Sequence, residues 1–391
     1  MEPRPSREEI RRRLASVAGK AQGEGIDVLI VVDPANVYYL SGFRTTLHTR
    51  FTAVVLRAAE PGSATLVAPS VDRLLALEPH WYPSLLDQTE IYYEGAPLGG
   101  PLPPDPFTFT DAFVRDGDVI GVDLEGALYS QVQSVMTRYP SAQLRDTTGI
   151  LHAARRVKSP WELEVLRRAN AIAVGALSQV PGWLREGMTE VELASRLDAA
   201  AREGGSDGFA YPTLIGFGQK SLAPHAAPTA RRLERDQIVT IAFGPSLAGY
   251  CADIVRTFFF GTPPPVALEV SRNTVSIQEA ALEAVRPGAR AGETMTAANR
   301  LIGQLYPDAP RAGRAGHSLG LTIHETPSLT PDNDTLLEPN MVLAIEPRPP
   351  AAAMAEIGLY RHCDVIRVTE DGYELLSPLE RGLLVVRASG A

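Results

Sequence analysis

Gly249-Tyr250-Cys251-Ala252-Asp253-Ile254-Val255-Arg256-Thr257-Phe258 decides how the second half of this 391-residue chain is read. A carboxylate, Asp253, sits in a run of apolar, β-branched and aromatic residues with the composition of a buried strand. Burying a carboxylate in such a run is costly unless it is paired or coordinated. The stretch therefore marks either a structural hydrogen-bond acceptor or a ligand.

Outward from it lie other polar residues in similarly constrained settings. His225 stands between prolines in Pro224-His225-Ala226-Ala227-Pro228-Thr229, on a stiff turn. His317 lies between glycines in Gly316-His317-Ser318-Leu319-Gly320, where backbone can approach a ligand closely. His324-Glu325 follows, and Glu346-Pro347 ends the apolar strand Met341 to Glu346. Singly, each has a plain account as a loop residue or a structural acceptor. Together, His, Asp and Glu are the ligand types that suit a divalent ion.

Helices and strand-like runs alternate around these residues. Ser159, Pro160 and Glu162 have the N-cap, N1 and N3 pattern of a helix start, and Thr189 with Glu192 repeats it. The strand-like runs are Ile238 to Phe243, Asp253 to Phe260, Met341 to Glu346 and Asp364 to Thr369. Arg185-Glu186-Gly187-Met188-Thr189 is echoed by Arg286-Pro287-Gly288 and Met295-Thr296, a faint internal repeat. Residues 156–391 are thus expected to form an α+β domain. Before them, Ile26 to Val32, Phe51 to Leu56, Ala64 to Ala68 and Asp118 to Asp123 read as strands among helices, so residues 1–155 are expected to form a smaller α/β domain. Gly95 to Pro106 holds too many glycines and prolines for regular structure.

The net charge of −9 argues against a nucleic-acid partner. The mixed run Arg7 to Arg13 reads as the wet face of a first helix. No apolar run is long enough for a membrane span or a signal-peptide core. Two cysteines, Cys251 and Cys363, cannot build a disulfide framework, so a reducing cytoplasm is expected.

These motifs, in this order, resemble the heart of the creatinase, prolidase and aminopeptidase P family with its "pita-bread" fold. Pro224 to Thr229, Gly249 to Phe258, Gly316-His317, His324-Glu325-Thr326-Pro327, Ile345-Glu346-Pro347 and Arg361 to Gly372 carry the likeness. Tyr39-Leu40-Ser41-Gly42-Phe43 extends it to that family's smaller N-terminal domain. The family's peptidases hold two metals with Asp, Asp, His, Glu and Glu. Carried over, the second Asp is Asp253, the His is His317 and the Glu before Pro is Glu346. The first Asp falls on Ala242 and the last Glu on Cys363. The resemblance therefore implies no metal, or at most one Zn, Fe or Mn ion on Asp253, His317, Glu346 and Cys363.

Creatinase, which works without metal, suggests His225 as acid/base and Glu346 as holder of a guanidinium-like group, with His324 beside them. The leading expectation is accordingly a hydrolase of a C–N bond in a small charged molecule, like creatinase or ectoine hydrolase. The alternatives are a Xaa-Pro dipeptidase, a single-metal lyase or oxidative enzyme, and a silent binding protein. Tyr250 and Arg361 are assigned to substrate binding. In a family-like homodimer, Arg44 or Arg50 would pair with a substrate carboxylate. Cys363 as a nucleophile activated by His317 or His362 is a further option.

Overall fold

The computed structural model describes residues 4–45, 50–78, 83–93 and 105–387, which fall into two compact units meeting between Arg155 and Arg156. The irregular stretch expected after Gly95 lies, up to residue 104, outside the described residues.

In the first unit β1 (Val28–Val31) is buried along its whole length, as a continuous apolar run requires. It pairs antiparallel with β2 (Ala53–Arg57) and parallel with β5 (Val119–Val122). With β3 (Thr65–Pro69), β4 (Gln88–Tyr92) and β6 (Gln143–Asp146) it forms a mixed sheet of order β4-β3-β2-β1-β5-β6. The carboxylate of Asp123, just past β5, accepts the N–H groups of Val32 and Asp33 and the Asn36 amide, at 2.8 to 3.0 Å. That fixes the chain where β1 leads into the helix Pro34–Ser41. The basic run opens the helix Arg7–Gly23, capped by Ser6. Two charged residues depart from the expected wet face: Glu9 and Arg13 are buried and paired at 3.1 Å, and Arg13 donates to the Tyr39 carbonyl.

The second unit is α+β. Its strands are β7 (Gly208–Phe209), β8 (Leu214–Phe217), β9 (Gln237–Phe243), β10 (Pro245–Leu247), β11 (Tyr250–Cys251) and β12 (Ile254–Phe260). They continue with β13 (Gly316–Ser318), β14 (Glu325–Ser328), β15 (Val342–Ile345), β16 (Asp364–Val368), β17 (Tyr373–Leu375) and β18 (Leu384–Val386). One sheet runs β18-β12-β9-β8 and another β14-β13-β15-β16-β17, with a small third sheet β11-β10-β7. The two larger sheets are stitched at one point, where Val255 and Cys363 exchange backbone hydrogen bonds of 3.1 and 3.4 Å. That junction brings the strand ends bearing Asp253 and Cys363 side by side.

The four longest helices of the unit carry the internal repeat. Pro160–Leu177 and Glu190–Glu203 correspond to Pro265–Glu283 and Ala291–Leu305. In each half a glycine at positive φ, Gly187 (79°) or Gly288 (78°), donates its N–H to a leucine carbonyl, of Leu233 or Leu337. Ser159 and Thr189 form the capping boxes expected from the sequence. Ile277, Met295 and Ile302 from the second helix pair pack on Leu343, Ile345 and Ile366 of the five-stranded sheet. Among the described residues no helix is long and apolar enough to cross a membrane.

Candidate active site

Asp253, His317 and Glu346 gather at the sheet junction because each sits at or beside a strand end. Asp253 immediately precedes β12, Glu346 follows β15, and His317 lies in β13, whose register places it opposite Ala344. Gly316 is needed for this. Its φ is +152°, and a Cβ there would lie 1.8 Å from the Ala344 carbonyl oxygen. Only glycine lets β13 approach β15 closely enough to present His317.

His317, Asp253 and Glu346 are all buried. His317 Nδ1 lies 3.1 Å from the Ser318 carbonyl, the position of an N–H donor, which leaves Nε2 facing the two carboxylates. Nε2 is 3.5 Å from Asp253 Oδ2 and 3.9 Å from Glu346 Oε1. The His324 ring meets His317 edge-on, with centroids 4.4 Å apart, and is itself exposed. Asp253 Oδ1 accepts the Tyr211 hydroxyl at 2.6 Å, and Cys363 Sγ lies 3.9 Å from Oδ2.

Glu346 carries an unusual load of cations. Arg361 grips Oε2 through Nε at 3.1 Å and through Nη2. Arg348 Nη2 comes within 3.8 Å of the same oxygen, and Arg314 Nη2 within 3.6 Å of Oε1. Burial opposes ionisation of Glu346, but Arg361 foremost and then Arg348 outweigh it, so the carboxyl is held below its ordinary range. Asp253 is likewise lowered against its burial, chiefly by His317, with help from Tyr211 and Arg361. Desolvation, then Asp253 and Glu346, push the Cys363 thiol well above its usual value. His324 is lowered by desolvation and by the nearby His317 and Arg314.

The donor set does not fit a pair of metal ions. Ala242, across the sheet from Val255, has no donor. Cys363 presents a protonated thiol where a bridging carboxylate would be needed, and Arg361 occupies Glu346. Among the described residues no group of three His, Cys, Asp or Glu side chains is arranged to hold an ion.

Several expectations change on this geometry. Tyr250, assigned above to substrate binding, is buried: its hydroxyl donates to Glu162 Oε1 at 2.8 Å and its ring packs edge-on against Trp161. It ties the helix Pro160–Leu177 to β11. His362 cannot activate Cys363, because strand alternation turns it to the opposite face, against Tyr360. On that face Arg256 and Asp364 form a fully buried ion pair of 2.5 Å. Among the described residues neither ring nitrogen of His362 has a hydrogen-bond partner, and desolvation lowers its pKa to about 3. Arg361 is a site residue, engaged with Glu346. His225 is exposed on its loop, which Glu190 clamps through the Thr229 N–H and hydroxyl and through Lys220. Its neighbours Pro224 and Ala226 line a small cavity with Thr240, Ala242, Leu359 and Arg361. Arg44 and Arg50 belong to the first unit, between the helix Pro34–Ser41 and β2.

Tyr211, Arg314 and Arg348 were not anticipated. A second unanticipated contact is the buried pair Lys158–Glu325, 3.2 Å apart, with Lys158 also reaching Ser318 Oγ. It anchors the turn that carries His324.

Fold and site together define a hydrolase of C–N bonds. The profile of metallopeptidase family M24 matches residues 164–371, and that of the Creatinase/Prolidase N-terminal domain matches residues 13–157. The chain belongs to the M24 family. It is 27% identical to "Putative dipeptidase YkvY" of Bacillus subtilis over 96% of this chain and 99% of that one. Among solved structures it is similar to the dipeptidase PepE of Mycobacterium ulcerans (26% identity, TM-score 0.84, 98% and 100% of the two chains). It is also similar to the prolidase of Pyrococcus furiosus (26%, TM-score 0.77, 93% and 100%). These relatives favour the Xaa-Pro dipeptidase alternative over the creatinase-like expectation.

Proposed function

We propose that this chain hydrolyses the C–N bond of a small dipeptide-like substrate bearing a carboxylate, and that it does so without a metal pair. The substrate class follows the names of its dipeptidase and prolidase relatives. The chemistry rests on one observation: His317 Nε2 faces the carboxylates of Asp253 and Glu346, while Glu346 is held by arginine.

In this reading His317 Nε2 takes a proton from a water molecule whose oxygen adds to the scissile carbonyl carbon. Asp253 and Glu346 stabilise the imidazolium that results. As the C–N bond breaks, the proton that His317 took from water passes to the leaving nitrogen through His324, whose ring lies against it, so both histidines return to their starting state. The arginines offset negative charge as it develops on the carbonyl oxygen. The products are an acid and an amine, so one water is consumed and protons balance. A single-ion alternative draws on Asp253, His317, Glu346 and Cys363. It requires Glu346 to release Arg361 and Cys363 to lose its proton, which makes it the less favoured arrangement.

The test is hydrolysis of Xaa-Pro dipeptides by protein treated with chelator and by protein supplemented with Mn²⁺. The expected result is chelator-resistant turnover that falls about 100- to 10,000-fold in His317→Ala. Activity that appears only with added Mn²⁺ would return the chain to the metal-dependent peptidases. His225→Ala, compared with His324→Ala, decides which histidine serves the leaving group.

A further inference from the structure

Around Glu346 and Asp253 three guanidinium groups, of Arg314, Arg348 and Arg361, face two carboxylates, a surplus of one positive charge (3 − 2 = +1). Arg361 satisfies Glu346 by itself, as a two-nitrogen ion pair. Arg314 and Arg348 are left at 3.6 and 3.8 Å from the same carboxylate, too far for a hydrogen bond. Among the described residues neither donates a hydrogen bond to anything else. Their side chains are 41% and 35% exposed, so both reach the open side of the site while keeping much of their length desolvated. Arg348 feels that cost: burial and the neighbouring Arg361 lower its pKa. Half-desolvated cations with unused donors, crowded by a third, are an arrangement that an incoming anion relieves.

We propose that Arg314 and Arg348 form a binding site for the substrate's carboxylate. Arg314 approaches Oε1 of Glu346, the oxygen that His317 Nε2 faces, and Arg348 approaches Oε2. A carboxylate spanning them places the rest of a small substrate over His317 and His324. The inference deepens the functional reading above and rests on its substrate class, yet it is measurable without turnover.

Binding of succinate and of uncharged succinamide is measured by calorimetry on the full chain. Succinate binds the wild-type protein and succinamide does not. Arg314→Gln and Arg348→Gln each weaken succinate about 10- to 100-fold, the worth of a charge-assisted hydrogen bond. Arg348→Lys, which keeps the charge and loses the fork, retains part of the affinity. Both arginines are partly exposed, so the variants fold, and circular dichroism checks this. Absence of succinate binding in the wild type, or unchanged affinity in a folded Arg314→Gln, Arg348→Gln double variant, overturns the proposal. Succinate binding without dipeptide hydrolysis would leave this site standing and refute the reaction instead.

Discussion

Arg361 and Glu346 form a buried two-nitrogen ion pair, with Arg361 Nε 3.1 Å from Glu346 Oε2, at the place where the family's metal chemistry would need a free carboxylate. Removing one member of a buried pair leaves an uncompensated charge and costs about 3–5 kcal/mol, whereas removing both costs less. Arg361→Met is therefore expected to be strongly destabilising, and Arg361→Met with Glu346→Gln less so than the sum of the single changes. A double-mutant cycle by denaturant unfolding checks this. Additive effects would show that the pair contributes nothing as a pair.

Tyr250 provides a contrast within the strongest sequence motif. Its hydroxyl donates to the Glu162 carboxylate at 2.8 Å. Tyr250→Phe should lower stability by about 1.5–3 kcal/mol, the range for a hydrogen bond to a charged group, and leave KM unchanged. A raised KM with unchanged stability would restore Tyr250 to the substrate-binding residues.

What could be read from sequence follows from the range of the interactions. Capping boxes at Ser159 and Thr189 are local, as are the apolar strands, and both stand where expected. Asp253, His317 and Glu346 were legible because each is a polar residue against an apolar strand. Tyr211 and Arg314 were not, because each reaches its carboxylate only through strand pairing, β7 with β10 and β13 with β15. Arg348, two residues after Glu346, was within reach of a local reading. The motif around Asp253 fixes which residues are near in sequence, not which way Tyr250 points. The exclusion of His362, by contrast, was available from strand alternation, since Arg361 and Cys363 share the face that His362 leaves.

Asp123, in the first unit, gives a pH dependence. Desolvation outweighs its three hydrogen-bond donors and raises its pKa from 3.8 to about 6. The folded state thus holds this proton more tightly than the unfolded chain does. The contribution is fully present below the unfolded pKa and is lost as pH rises through about 6. Because other carboxylates, such as Asp118, shift the opposite way, the measurement is differential. The stability of wild type relative to Asp123→Asn should fall by about 2 kcal/mol between pH 4 and pH 7, at about 1.4 kcal/mol per pKa unit. A flat or rising difference would show that the hydrogen bonds from Val32, Asp33 and Asn36 outweigh burial.

The metal content of the purified protein decides the most. Wild-type protein is expected to lack a stoichiometric pair of divalent ions, because Ala242 offers no donor and Cys363 a single protonated sulfur. A cation entering the site also meets the guanidinium groups around Glu346, each repelling a unit charge by about 4 kcal/mol at 4 Å for an effective dielectric near 20. Ala242 borders the small cavity beside Arg361, so an aspartate there has space to extend. Ala242→Asp with Cys363→Glu restores both missing carboxylates and changes the local charge by two units toward negative. Elemental analysis should then show ions rising toward a pair per chain, and added Mn²⁺ should raise the melting temperature of the double variant. A ligand at about a hundred times its Kd stabilises by about 2.7 kcal/mol, which is readily seen in a melt. The same Mn²⁺ should leave the wild-type melt unmoved. Two tightly held ions in unmodified protein would mean that Glu346 releases Arg361 on metal binding, and the metal-free reading would fail.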